Sequence, residues 1–126
     1  MIDSITEYQH LALRTLAEKV RKNDMTIFAD PRAAMHWNAA SGMASEAGEI
    51  NELYKKYYFH FHPWTDSFET HLKKEHGDLM WYLMLGCFAN GWDPREILQI
   101  NIDKLAARYP EGFSPERSMN RAEGDV

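Results

Sequence analysis

Glu75-His76-Gly77-Asp78-Leu79-Met80-Trp81-Tyr82-Leu83-Met84-Leu85-Gly86-Cys87-Phe88 is the stretch on which the fold turns. After Asp78 it is apolar at every position but Gly86, with no proline and no alternation of apolar and polar residues. Such a run reads as a helix that needs cover on every side. Extended to Ala89 it is still too short to span a bilayer. Gly91 stops it, and Asp93-Pro94 restarts the chain as a cap followed by a first-turn proline.

Helical signals continue on both sides of this run. Ser4-Ile5-Thr6-Glu7 fits a capping box, and Leu11, Leu13, Leu16, Ala17 and Val20 then follow a helical period, so a first helix is expected to about Lys22. A link from Asn23 leads to Asp30-Pro31, a helix start. The second helix is expected over about Arg32 to Tyr58, the third over about Ser67 to Asn90, and the fourth ends near Tyr109. Between the second and third lies a loop holding His60, His62 and Pro63. Valine occurs only at positions 20 and 126, which argues against a substantial sheet. The expectation is an all-α four-helix bundle over residues 1–110. A polar, loose tail follows over 111–126, with Phe113 its only apolar anchor.

The chain has 126 residues, 44% hydrophobic and 26% charged, with a formal net charge of −5. That is one globular domain, long enough to bury a core without disulfide or metal staples. An acidic chain has no footprint for duplex nucleic acid, so an anionic ligand needs a few placed cations or a metal. Cys87 is the one cysteine, and the N-terminal residues carry no signal-peptide pattern; a reducing, cytoplasmic setting without membrane association is expected.

Two acidic pairs stand out, Glu46-Ala47-Gly48-Glu49 and Glu75-His76-Gly77-Asp78. At ~100° per residue with Glu46 at zero, Glu49 falls near −60°, Ile50 near +40° and Leu53 near −20°. With Glu75 at zero, Asp78 falls near −60°, Leu79 near +40° and Tyr82 near −20°, again as rough angles. Each pair therefore shares its sector with core residues. Buried unpaired carboxylates would cost several kcal/mol each, so a neutralising partner is required. Four hard oxygen donors suit Mg²⁺, with Mn²⁺ as a substitute. Gly48 and Gly77 each precede the second acid of a pair, and close approach of another backbone would explain their presence in a helix. In the fourth helix Asn101, Lys104 and Arg108 form a stripe flanked by Leu98 and Leu105, expected to face inward as phosphate ligands or as partners of the acids. Lys56, on the Glu49 side, is a further candidate.

The acidic pairs and their surroundings resemble the MazG-like all-α nucleoside triphosphate pyrophosphohydrolases. The motif of that family is Glu-x-x-Glu, a spacer, then Glu-x-x-Asp, matched here by Glu46 and Glu49 followed by Glu75 and Asp78. Ser41-Gly42-Met43-Ala44-Ser45, Gly77 to Leu83, and Asn101 to Pro110 resemble its flanking patterns. The resemblance runs from about Ser4 to Arg121 and is nearest to small single-domain members, many of them phage-encoded. It implies cleavage of a nucleoside or deoxynucleoside triphosphate between the α and β phosphates, giving a monophosphate and pyrophosphate with Mg²⁺. It also implies that Glu46, Glu49, Glu75 and Asp78 hold the metal, that Tyr82 contacts substrate, and that Asn101 and Lys104 contact phosphate. Members work as homodimers or homotetramers with sites near subunit contacts, which agrees with an apolar run too broad for one chain to cover. Two or more Mg²⁺ ions on the phosphate chain, with Glu49 or another pair member not fully engaged by metal taking a proton from water and Lys104 and Arg108 countering charge, would be the mechanism.

For the base, Asn38 offers both a donor and an acceptor, and small Ala39 and Gly42 leave room beside Glu46. Phe28 and Asp30 would close that pocket, whereas Trp37 falls on the opposite face, in core or interface. Relatives include enzymes for purine deoxynucleotides such as dGTP and enzymes for pyrimidines, and the residues do not choose. A non-catalytic helical oligomer acting as a binding module, or the same chemistry on a modified nucleotide, are the alternatives. Di-iron and zinc readings lack their ligands: Glu7-Tyr8-Gln9-His10 has no second Glu-x-x-His, His71 to His76 is one residue too long for His-x-x-Glu-His, and His60-x-His62 has no second pair. Cys87 reads as core.

Overall fold

The computed structural model describes residues 2–21, 30 and 32–120. Among them lie six α-helices and no β-strand: α1 (Ile5–Ala12), α2 (Glu18–Arg21), α3 (Ala33–Phe59), α4 (Asp66–Asn90), α5 (Pro94–Arg108) and α6 (Pro115–Met119). The all-α class is as the sequence predicts. Lys22 and Phe28 lie outside the described residues. Among the described residues no helix is long and apolar enough to cross a membrane.

α3 and α4 form a helical hairpin, and their 27 and 25 residues make each rod about 40 Å long. Small side chains let the two approach: Ala39 of α3 is buried, and a Cβ built on Gly86 of α4 would stand 3.7 Å from the Ala39 Cβ, ordinary contact. Leu85 is fully buried at the centre of a cluster with Leu13, Leu16, Met35, Ala39 and Ala89. Truncating such a leucine to alanine costs about 2–5 kcal/mol. Thr65 caps α4 by accepting from the Phe68 N–H at 3.1 Å, and Gly91 ends it with φ 70°, the left-handed value that glycine adopts freely.

The first helix is shorter than its period predicts. α1 ends at Ala12, Leu13–Thr15 tightens into a 3₁₀ turn, and α2 starts only at Glu18. The Ala12 carbonyl explains the break, because it accepts from Thr15 Oγ1 and from the Trp81 indole N–H, each at 2.9 Å. A threonine hydroxyl bonded three residues back competes with the next helical N–H. The capping box is also half as drawn: Ser4 Oγ accepts from the Glu7 N–H, but Glu7 reaches the Asp3 N–H at 2.7 Å. Gln9, buried, ties α1 to α4 by donating to the Met84 carbonyl at 3.1 Å.

α5 corrects a second expectation. It leans on α1, and Leu98, Ile100, Ile102 and Leu105 are all about half-exposed. Leu98, Ile102 and Leu105 share one face while Ile100 lies on another, so a single neighbour cannot cover both. On α4, Met80, Leu83 and Phe88 are likewise about 40% exposed. Within the described part of the tail, 111–120, Gly112, at φ 93°, closes a turn, Ser114 caps by accepting from the Arg117 N–H, and Pro115 opens α6, a short helix that the sequence reading does not include. Phe113 is exposed and touches the Tyr109 ring, 5.5 Å between centroids.

Candidate metal centre

α3 and α4 each contribute one acidic pair, and the hairpin brings three of the four acids together. Carboxylate oxygens of Glu46, Glu75 and Asp78 lie within 4.8 Å of one another. Glu75 is buried at 8% exposure, Glu46 is half-buried and Asp78 is exposed. Glu49 is exposed and stands outside the three-acid group, though its charge acts on Glu46. The expectation that all four point among core residues therefore holds best for Glu75, partly for Glu46, and not for Glu49 or Asp78.

The electrostatics follow from this crowding. Burial first, then the charges of Glu49, Asp78 and Glu75 and a hydrogen bond with Glu75, hold the Glu46 carboxyl above its ordinary value. A carboxylate raised by its own neighbours is one whose surroundings lack positive charge. Octahedral ions such as Mg²⁺ bind oxygens at about 2.0–2.1 Å, which spaces ligand oxygens about 2.9–4.2 Å apart. A three-oxygen group closed to within 4.8 Å needs only small side-chain rotations to meet that spacing. The donor set is all oxygen and suits a hard cation.

Two residues beside the cluster escaped the sequence reading. His71 Nε2 lies 2.9 Å from Glu75 Oε1, one helical turn earlier. The i, i+4 spacing of His71 and Glu75 was the available signal. Tyr8 of α1 donates from its hydroxyl to the Gly77 carbonyl at 3.3 Å, and burial together with Asp78 raises its phenol above the ordinary value. No local pattern announces Tyr8, since α1 meets α4 across 69 residues of sequence.

The remaining candidates are dispersed. Tyr82 packs its ring over Gly42, where a Cβ would come within 2.2 Å of the ring carbons. The room expected at Gly42 is therefore filled by Tyr82, whereas Ala39, a member of the core cluster, also lines an apolar depression of about 280 Å³ with Ala40, Met43 and Leu83. Conversely, among the described residues a Cβ on Gly48 or Gly77 would meet nothing within 4 Å, so no described backbone packs against them there. Gly42 is the position that requires glycine. Asn38 is half-buried, and Lys56 lies 3.8 Å from Glu52 on the same helix. Asn101 and Lys104 are exposed on α5, and Arg108 is half-buried with its guanidinium 5.9 Å from the Tyr109 ring centroid. The inward stripe is thus not inward within one chain, because α5 rests on α1. Trp37 is 67% exposed and is not core. Asp30 accepts from the Arg32 N–H at 2.7 Å, shortly before α3 begins. His60 and His62 are exposed in the loop, and Cys87 is buried with its thiol pushed up by that burial, as a core residue should be.

No family model, curated protein or solved structure matches the chain.

Proposed function

We propose that this chain is a metal-dependent nucleoside triphosphate pyrophosphohydrolase of the MazG-like kind. The observation that carries the reading is the meeting of Glu46 with Glu75 and Asp78, because it joins the two acidic pairs of the Glu-x-x-Glu and Glu-x-x-Asp motif at one point. Those three residues hold Mg²⁺, or Mn²⁺ in its place. Held there, the ion would supply charge neutralisation for the phosphate chain and a lowered pKa for water.

The chain's own groups then divide the work. Glu49, exposed and outside the three-acid group, takes the proton of the attacking water in this reading. Oxygen bonds to the α phosphorus, the bond from that phosphorus to the bridging oxygen breaks, and pyrophosphate leaves with the electron pair. Asn101, Lys104 and Arg108 contact phosphate, Lys56 and Asn38 lie toward the nucleoside, and Tyr82 buttresses the site across Gly42. The exposed apolar residues of α4 and α5 are covered by further copies of the chain in a homodimer or homotetramer. That assembly places the α5 cations at a subunit contact.

The test is a panel of the canonical ribo- and deoxynucleoside triphosphates with Mg²⁺ or EDTA, resolving products. Monophosphate plus pyrophosphate, dependent on metal and lost in Glu49→Gln and Asp78→Asn, is the expected result. Diphosphate plus phosphate, or full activity in both variants, refutes the assignment. A panel turned over only when modified bases are supplied keeps the chemistry and changes the substrate.

A further inference from the structure

We infer that His71 is a positioning residue for the metal centre: its Nε2–H anchors one oxygen of Glu75 so that the other is presented to Glu46 and Asp78. The inference rests on the metal-dependent reading above and adds to it a residue outside the acidic motif. His71 Nε2 is 2.9 Å from Glu75 Oε1, a full hydrogen-bond distance, and because a carboxylate only accepts, the bond is made by the charged ring or by the Nε2–H tautomer of the neutral one.

Three observations separate this pair from an incidental helix contact. Glu75 is the most buried acid of the cluster, so few partners can reach it, whereas the His71 side chain is 57% exposed. The ring's outer side lines an open depression of about 510 Å³ with Asp66, Ser67, Thr70 and Lys74, so the imidazole does no core packing. The neighbouring His76 is committed elsewhere, its Nδ1 lying 2.7 Å from the Leu72 carbonyl. A glutamate has three side-chain torsions to fix before it can ligate, and an anchored oxygen removes part of that ordering cost in advance. Outer partners of metal ligands typically govern affinity by about 10–100-fold.

The experiment measures Mn²⁺ binding by the full-length protein without nucleotide, by the loss of the free-ion paramagnetic resonance signal, and nucleotide turnover separately. His71→Ala is expected to weaken Mn²⁺ binding by about 10-fold or more while leaving the helical circular dichroism spectrum in EDTA unchanged. His71→Gln, whose amide can donate to Glu75 from the same turn, is expected to restore binding to within a few-fold. Mn²⁺ affinity in His71→Ala equal to that of the unmodified chain overturns the role of His71 and leaves the metal reading standing. No Mn²⁺ binding by the unmodified chain overturns the metal reading itself. A nitrogen hyperfine coupling on bound Mn²⁺ that disappears in His71→Ala makes His71 a ligand and overturns the positioning role.

Discussion

Glu46→Gln should stabilise the metal-free protein while abolishing its response to metal. Glu46, Glu75 and Asp78 place carboxylate oxygens within 4.8 Å of one another. At that separation a pair of unit charges repels by about 0.9 kcal/mol in water and about 3.5 kcal/mol at an effective dielectric constant of 20. Asp78 is open to solvent, which pulls its pair with Glu46 toward the lower figure, and Glu75 is buried, which pulls the other upward. A net gain of about 1–3 kcal/mol at pH 8 is expected once Glu46 loses its charge. The pH dependence has a definite sign. Glu46 holds its proton more tightly in the folded chain than in the unfolded chain, where 4.5 is the ordinary value. Between those two values the native state binds more protons, so stability falls as pH rises. At pH 4 the glutamate is largely protonated in both states and the variant should differ little. The gap opens as pH climbs through the raised folded value and is complete above it. Urea unfolding in EDTA at pH 4, 6 and 8 measures the gap. In excess Mg²⁺ the order should close or invert, because a ligand at 100 times its dissociation constant stabilises by about 2.7 kcal/mol and only the unmodified chain gains it. A Glu46→Gln variant equal to or weaker than the unmodified chain at pH 8 in EDTA, or a gap constant with pH, would refute the account of a self-repelling cluster.

Three further outcomes test the packing. Gly42→Ala forces a Cβ to within 2.2 Å of the Tyr82 ring. The overpacking should exceed the gain in helix propensity and leave a loss of about 1–2 kcal/mol, and the loss should shrink when Tyr82→Ala is present; strict additivity in that double-mutant cycle argues against the contact. Phe61→Gly releases a left-handed residue, φ 55°, that is 88% exposed and loses little burial; a gain of about 1 kcal/mol is expected in urea unfolding, and a loss would mean the phenyl packs more than its exposure implies. Trp81→Phe removes the indole bonds to the Ala12 carbonyl and Thr15 Oγ1; it should cost about 1–2 kcal/mol and raise amide exchange in residues 12–16, and protection unchanged there would place the break in the first helix elsewhere.

Helix existence was legible because its determinants are local. The Asp93-Pro94 start, the Gly91 stop and the loop around Pro63 between α3 and α4 all follow from residues within a few positions of each boundary. The end of α1 was not, because the Ala12 carbonyl is claimed by Trp81 from 69 residues away. The position of α5 was not legible either: its apolar residues fit an inward stripe, but the wheel says which residues share a face and not which neighbour that face meets.

The same limit explains the site. With Glu75 at zero, Asp78 falls near −60° and Leu85 near −80°, as rough angles on one side of α4. Leu85 is nevertheless fully buried and Asp78 exposed. Two turns separate them, and at the height of Leu85 that side is covered by Leu13, Leu16 and Ala39, whereas at Asp78 the side opens toward solvent. Angular position predicts the sector, and height along the rod decides the cover. On α3, Met35, Ala39, Gly42 and Leu53 are all buried within about 40° of Glu46, while Glu49 near −60° is exposed. Glu46 thus sits mid-stripe on α3, where it meets and hydrogen-bonds with the buried Glu75 of α4. Their partners Glu49 and Asp78 are exposed for different reasons: Glu49 lies at the edge of the α3 stripe, and Asp78 lies at a height on α4 that the core does not cover. One i, i+3 spacing thus yields a more buried acid and a solvent-exposed acid on each helix. The expected consequence is graded: neutralising Glu75 should remove metal binding outright, whereas neutralising Glu49 should spare Mn²⁺ affinity within a few-fold and remove turnover. Loss of Mn²⁺ binding in Glu49→Gln equal to that in Glu75→Gln would make Glu49 a ligand and return the site to four equivalent acids.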